Sequence, residues 1–370
     1  MITKKIVYVI SGVHNSISFE WQLESQHRKN DIVVILLDNR KTVFFDFLEK
    51  TGIDNHFIQF NSKKNYPLIF IRVLRLLWEI KPVVVHCHLF DANIIGLAAA
   101  SVLRVKKRFY TRHHSTFHLE YAKKGVKYDK LCNLLATSII APSENVKNVL
   151  VNFEKVPERK VKVVRHGFKG SFFNEVSDFR VHEIEKKYNI KDSFPVIGVM
   201  ARYIEWKGVD FIVEAFEEII KVNPKAKLLI ANAVGASRPA KIDLINGKYD
   251  NSIIEIPYER DTGALYKTFD IYIHTPISRY IEAFGQTYVE SMLAQVPAVF
   301  TLSGIGIDII KSGVNAEVVD YKNSESILHA VNNILASDKI SRNLRSGRDK
   351  LQKEFGVERM TDELHSLYRN

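Results

Sequence analysis

Cysteine is scarce in this chain of 370 residues, which holds two, Cys87 and Cys132. Two thiols build neither a disulfide framework nor a zinc cluster, so the sequence suits a reducing compartment. Long apolar runs are missing as well. The longest, residues 94–103, is about half of what a membrane-spanning helix requires. Glycine and proline, at 17 and 10, are too few for a low-complexity or disordered chain. Acidic charge is in deficit, with 42 Asp and Glu against 53 Lys and Arg, giving a formal charge of +11 and a pI near 9.3. Such a balance permits polyanionic partners: nucleic acid, an acidic membrane surface or phosphorylated substrates. The apolar start, Met1 to Ile10, runs into Ser11-Gly12-Val13-His14 with no small-residue cleavage pattern. It reads as a first buried strand rather than a signal peptide. The expected location is the cytoplasm, at most peripheral to a membrane.

What is present is a repeated alternation. Short β-branched runs at 6–11, 32–37, 83–88, 108–113, 138–141 and 161–165 are interleaved with helix-period stretches such as 69–80 and 93–103. The alternation then restarts, with strands expected at 196–201, 227–231, 253–256, 271–274, 298–301 and 317–319. Helices are expected at 209–222, 263–268, 286–294, 305–311 and 324–336, and beyond Ser337 the chain reads as helical and charged. Apolar strands separated by helices predict parallel sheets covered on both faces. The length is too great for one core. We therefore expect two doubly wound α/β domains, 1–175 and 176–355, around a cleft at the carboxyl ends of the strands. A helical tail, 356–370, packs back on the first domain in this reading. The polar stretch 171–192 reads as a linker plus a first helix.

Two segments of the second domain carry chemistry. Ile281-Glu282-Ala-Phe284-Gly285-Gln286-Thr-Tyr-Val-Glu290 follows an expected strand and opens a helix. Gly285 would let a ligand approach the backbone where free N–H groups and the positive dipole end favour a phosphate. Glu290, about one turn inside, can accept two hydrogen bonds from a diol such as a ribose. Glu282 would face whatever is attached beyond the phosphate. The second segment, Gly198 to Gly208, delivers Arg202 to a strand end and Lys207 to the loop beyond it. Two fixed cations there would neutralise a departing pyrophosphate.

The spacing of Glu282 and Glu290 around Phe284-Gly285, with the Arg202/Lys207 pair, resembles the signature of family-4 retaining glycosyltransferases of the GT-B fold. The resemblance covers nearly the whole chain. The 83–88 strand with Cys87 is similar to the family's His-containing fourth strand, and Thr111-Arg112-His113 to its Thr-x-His element. Val164 to Phe168 is similar to the segment closing the N-terminal domain, and 303–316 to the loop and helix after the paired glutamates.

The resemblance implies an acceptor-side N-terminal domain and a nucleotide-sugar-binding C-terminal domain. It implies a hexosyl or related transfer from a UDP- or GDP-type donor to a glycan acceptor on lipid, in bacterial surface polysaccharide or lipopolysaccharide assembly. Arg202 and Lys207 would bind the diphosphate, Glu290 the ribose and Glu282 the donor sugar. Backbone amides near Phe284, Gly285 and Gln286 would meet the sugar and the distal phosphate, with Gly12 close to the phosphates. His113 would lie beneath the reacting sugar, with His114 as the alternative; His86, His88 and His118 read as structural or surface residues. The first loop carries only Gly12 of the family's glycine pair. His166, Phe168 and Lys169 replace the usual residues of the closing segment.

No two aspartates are separated by a single residue, so the Asp-x-Asp metal motif of the other large glycosyltransferase fold is absent and no metal or cofactor is expected. An epimerase or an inverting transferase on the same architecture is the nearest alternative. A nucleic-acid binder is disfavoured, because no zinc-finger spacing, RNA-recognition signature or helix-turn-helix pattern stands out.

The excess charge is localised. Residues 104–169 hold sixteen Lys and Arg against five acids, a net of 16 − 5 = +11, while the remainder balances at 37 to 37. Interleaved aromatics such as Phe109, Tyr110 and Tyr128 suit contact with anionic lipid. The expectation is that this window rests on the inner face of the plasma membrane.

Overall fold

The computed structural model describes residues 5–369, in two units. The first takes in the described residues through Phe168 and from Gly356 onward; the second is Lys169–Phe355.

The first unit is built on seven strands: Ile6–Ser11 (β1), Ile32–Asp38 (β2), Asp54–Gln59 (β3), Val84–His88 (β4), Lys107–Thr111 (β5), Ser138–Ala141 (β6) and Val161–Val163 (β7). All pair in parallel, in the order β3-β2-β1-β4-β5-β6-β7. The central strands β1, β2 and β4 are buried at every position, because helices cover both faces of a parallel sheet. Chain direction across the sheet reverses between β1 and β4, which puts Gly12 and the end of β4 at the switch point, where doubly wound sheets bind ligands. β3 was not anticipated. Its sequence, Asp-Asn-His-Phe-Ile-Gln, is that of an edge strand with a wet face, and it carries too little apolar signal to read.

The helix Val357–Arg369 also belongs to this unit. Val357, Met360, Leu364 and Tyr368 are buried on its inner face. Thr361 Oγ1 donates to Ser25 Oγ at 2.8 Å, and the hydroxyls of Tyr368 and Tyr8 meet at 2.9 Å in the core. Phe168 and Gly356 form a parallel bridge where the chain leaves and re-enters the unit.

The second unit has six parallel strands: Val196–Met200 (β8), Lys227–Ala231 (β9), Ile253–Ile256 (β10), Ile271–His274 (β11), Ala298–Phe300 (β12) and Glu317–Val318 (β13). Their order is β10-β9-β8-β11-β12-β13, so its switch point lies between β8 and β11. The division between units falls after Phe168, ahead of the expected boundary at 175/176. Phe173 is the reason: it is buried with its ring 6.0 Å from that of Tyr266, and the short helix Ser171–Asn174 packs on the helix Thr262–Lys267. Residues expected to close the first domain therefore complete the core of the second.

Candidate active site

The strand ends at the switch point of the second unit gather the residues that the sequence singled out. Beyond β8, Arg202 is exposed and Lys207 closes a 3-10 turn, Glu205–Lys207. Gly208 follows with φ +68°, and a Cβ there would lie 2.2 Å from the carbonyl oxygen of Thr275. Only glycine allows the loops after β8 and β11 to run this close; the Ile277 amide donates to the Trp206 carbonyl at 3.0 Å across the same gap.

Lys207 Nζ donates to Glu282 Oε1 at 2.6 Å, and His274 Nε2 lies 3.6 Å from the same oxygen. Burial would raise the Glu282 carboxyl, but the positive charges of Lys207 and Arg202 outweigh it and hold the group below the usual range. It is therefore an anion. His274, the last residue of β11, is pushed down to about 3 by burial, with the Lys207 charge adding to the effect, so it is neutral.

The Glu282 loop is clamped from the other side. Its amide donates to Ser303 Oγ at 3.1 Å, Ser303 donates to the Arg279 carbonyl at 2.9 Å, and the Ile305 amide donates to the Phe284 carbonyl at 2.7 Å. Phe284 is buried, so a ligand can meet its backbone but not its ring. Gly285 sits at φ +77° and caps the helix Gln286–Leu293, leaving the first-turn amides directed away from the helix body. Within that helix Glu290 is half-buried and accepts from Tyr266 Oη at 3.0 Å. Burial raises its carboxyl to about 7, against a lowering by the Tyr266 hydrogen bond. The two glutamates thus sit in opposite electrostatic settings: one beside cations, the other without a cationic partner among the described residues. Perturbed carboxyls of this kind concentrate at functional sites.

His274, Ser303 and Tyr266 had escaped the sequence reading. For His274 a signal existed, since a polar residue ending a buried strand at a switch point is placed to act on a ligand. Tyr266 and Ser303 come from other elements and leave no local pattern.

In the first unit, Gly12 follows β1 with φ +64°, and among the described residues none beyond its chain neighbours comes within 4 Å of where a Cβ would be. His113 follows β5; its Nε2 lies 3.1 Å from His88 Nδ1, and its ring stacks on that of His166 at 5.9 Å. Burial, with His166 and His86 adding to it, drives the His113 imidazole well below its ordinary range. His86 is interior, bonded through Nδ1 to Tyr368 Oη at 2.5 Å and through Nε2 to Thr111 Oγ1 at 2.9 Å.

His114 turns the other way. Its Nε2 is 3.2 Å from Asp129 Oδ1, and His118 Nδ1 is 2.6 Å from Asp129 Oδ2. These three side chains have the composition of a metal site. The Arg112 guanidinium, however, is buried against Asp129 at 3.2 Å and also pairs with Glu154. A cation entering there would have to displace an arginine already paired with the carboxylate, so the cluster reads as a buried ion network. His113, not His114, is the histidine that shares the end of β4 with His88.

Two family models match this sequence: Glycosyltransferase Family 4 over residues 23–169, and Glycosyl transferases group 1 over residues 180–350. The chain belongs to the family-4 glycosyltransferases. Among curated relatives, the capsular polysaccharide biosynthesis glycosyltransferase CapM of Staphylococcus aureus is 22% identical over 381 residues, covering 100% of this chain and 97% of CapM. The alpha-monoglucosyldiacylglycerol synthase of Streptococcus pneumoniae is 22% identical over 228 residues, 57% of this chain and 49% of that protein. Among solved structures, Anabaena HepE in complex with UDP-glucose superposes with a TM-score of 0.81 at 18% identity, covering 98% of each chain. The fold of this glycosyltransferase is accordingly GT-B, with two Rossmann-like domains.

Proposed function

We propose that this glycosyltransferase moves a sugar from a nucleoside diphosphate donor to a hydroxyl of a lipid-linked glycan, with retention of configuration and without a metal. The observation that carries the reading is the Lys207–Glu282–His274 constellation at the switch point of the second unit, beside the Gly285 helix start. In this reading Arg202, Lys207 and the first-turn amides near Phe284, Gly285 and Gln286 receive the diphosphate. Glu290 holds the ribose diol through its two carboxylate oxygens. Glu282, kept ionised and held by Lys207, accepts hydrogen bonds from donor-sugar hydroxyls, with the neutral His274 ring 3.6 Å away.

As the bond from the anomeric carbon to the phosphate oxygen breaks, its electron pair stays on the diphosphate, and Lys207 and Arg202 offset the growing charge. The acceptor hydroxyl attacks the same face through an oxocarbenium-like state, and its proton passes to the leaving phosphate oxygen. The proposal gives neutral His113 a hydrogen-bonding role at the strand ends of the first unit, where Gly12 leaves its backbone open to a ligand. Neither residue acts as a nucleophile.

The donor is of UDP or GDP type, and the UDP-glucose bound to HepE makes UDP-sugars the first to try. The likeness to CapM, and to a synthase whose name describes a glucosyl lipid, supports a lipid-linked acceptor in surface polysaccharide or lipopolysaccharide assembly at the inner face of the plasma membrane. No helix among the described residues is long and apolar enough to cross a membrane. Contact with anionic lipid through residues 104–169 belongs to the same proposal, with one adjustment. Arg112 is buried, Arg108 is bonded to the Leu135 and Val105 carbonyls, and Lys160 donates to that of Asn133. Part of that window's charge therefore serves the fold.

The test is release of nucleoside diphosphate from a panel of UDP- and GDP-sugars, with and without acceptor lipids. Lys207→Ala and Glu282→Gln each lower turnover at least about 100-fold, the scale for losing one preorganised electrostatic contact in an active site. Near-normal turnover in both, or epimerisation without transfer, would overturn the assignment.

A further inference from the structure

The helix Tyr66–Ile80 has two apolar faces where a surface helix needs one. Ile69, Val73 and Leu77 form its buried stripe, and the helix packs against its neighbour Phe90–Val102. That contact completes its role in the core. The opposite face nonetheless carries Leu68, Ile71 and Trp78, which are 51%, 59% and 63% exposed. With Arg72, Arg75 and Glu79 they fall within about a third of the helix circumference. Single exposed apolar residues are ordinary on protein surfaces; three large ones on one stripe, with a tryptophan among them, are not.

Charge accompanies the stripe. Lys63 and Lys64 precede the helix, Arg72 and Arg75 lie on its outer face and Lys81 follows it, all exposed. Glu79, paired with Arg75 at 2.8 Å, is the one acid that this helix itself contributes. The patch also joins the basic window. Lys63 Nζ lies over the Phe90 ring at 4.9 Å, Phe90 meets Tyr128 edge-on at 5.6 Å, and Lys127 Nζ lies 5.0 Å from the Tyr128 ring. Tyr128 belongs to the helix Val126–Leu135, which packs on the other flank of Phe90–Val102 and exposes Leu131 and Leu134. Three helices thus lie side by side, and both outer ones show leucine-class side chains among lysines and arginines.

The geometry points to an interfacial docking face on helix Tyr66–Ile80 that inserts Leu68, Ile71 and Trp78 into an anionic phospholipid bilayer while its cations meet the headgroups. A helix lying in a membrane surface has this composition: bulky apolar groups and a tryptophan bordered by basic residues. Charge complementarity selects the occupant, since residues 63–81 carry five cations against one acid. The inference rests on the membrane-side reading of the function, but moves the inserting element outside residues 104–169.

The full chain is floated with vesicles of phosphatidylglycerol and phosphatidylcholine, and with phosphatidylcholine alone, at low and high salt. It is expected to bind the anionic vesicles, more weakly as salt rises but without complete loss. The double variant Ile71→Ser, Trp78→Ser binds them at least tenfold less well, and Arg72→Ser, Arg75→Ser makes the remaining binding less salt-sensitive. The UDP-induced thermal shift, measured on the same samples, stays unchanged in all variants. Absence of wild-type binding, or full binding by Ile71→Ser, Trp78→Ser, overturns the inference. So does conversion of a wild-type dimer to a monomer by that variant, which would assign the face to a second copy. Loss of the UDP shift with vesicle binding intact would instead count against the donor reading and leave the docking face standing.

Discussion

Glu290→Gln separates what the carboxylate does for the ligand from what it costs the fold. In the free protein burial lifts this carboxyl from 4.5 to about 7. The sign is set by the proton inventory: between those values the folded state binds the proton more readily than the unfolded chain. Glu290 therefore costs nothing at low pH and progressively destabilises the domain as pH rises through 7. A separation of about 2.5 units, at 1.36 kcal/mol each, gives a full penalty of about 3 kcal/mol, reached near pH 8 and reduced to about 1 kcal/mol at pH 5. Glutamine keeps the size and an acceptor for the Tyr266 hydroxyl but carries no charge. The variant is expected to be more stable than wild type by up to about 3 kcal/mol at pH 8, and by only about 1 kcal/mol at pH 5. Binding moves the opposite way. A ribose diol loses a charged acceptor worth about 1.5–3 kcal/mol, so UDP affinity falls about ten- to hundredfold. In wild type, affinity also declines as pH falls below 7. The assay is urea denaturation read from Trp206 in a Trp21→Phe, Trp78→Phe background, with UDP calorimetry across pH 6 to 8.5. A variant no more stable than wild type at pH 8, or stabilised equally at pH 5, would refute the assignment of a half-buried carboxylate with no cationic partner among the described residues.

Other outcomes follow from the same geometry. Arg112→Ala strands the buried Asp129 and Glu154 carboxylates and should cost about 3–5 kcal/mol in chemical denaturation; a loss under 1 kcal/mol would show that solvent reaches them. Gly208→Ala forces a Cβ against the Thr275 carbonyl at a positive φ. It should abolish the UDP thermal shift while the first unit keeps its far-UV signal, and unaltered UDP binding would show that the loops have room to part. His86 and His274, depressed to about 3, and His114 and His166, depressed to about 4, stabilise the fold above the unfolded value of 6.5. That stability disappears as pH falls from 6.5 towards 4, so urea midpoints should drop steadily across this interval; a flat profile would mean these rings are already solvated.

The sequence was most legible where the fold is most buried. β1, β8, β9 and β11 are continuous apolar runs bounded by turns, and they lie where expected, give or take a residue. The polar edge strand β3 and the helix Ile17–His27, with little amphipathic contrast, were invisible because packing rather than pattern holds them. In the candidate site, Glu282 and Lys207 could be picked out separately. That they form a 2.6 Å pair backed by His274 could not, since they lie 75 residues apart and meet only through the order of the strands. The basic window misled for the converse reason. Counting charges gave Arg112 the same weight as a surface lysine, although it is buried between two carboxylates.

The return of Val357–Arg369 to the first unit bears on the order of biosynthesis. The second unit is contiguous in sequence, so all of its strands have been translated before that helix leaves the ribosome. The first unit, although made earlier, lacks the side chain that meets Tyr8 and His86 until Tyr368 arrives. Its sheet must wait with an open hydrophobic flank through the translation of 187 residues, Lys169–Phe355. A stall or premature stop in residues 356–369 would therefore damage the earliest-made part of the protein, while leaving the second unit, already complete in sequence, able to fold.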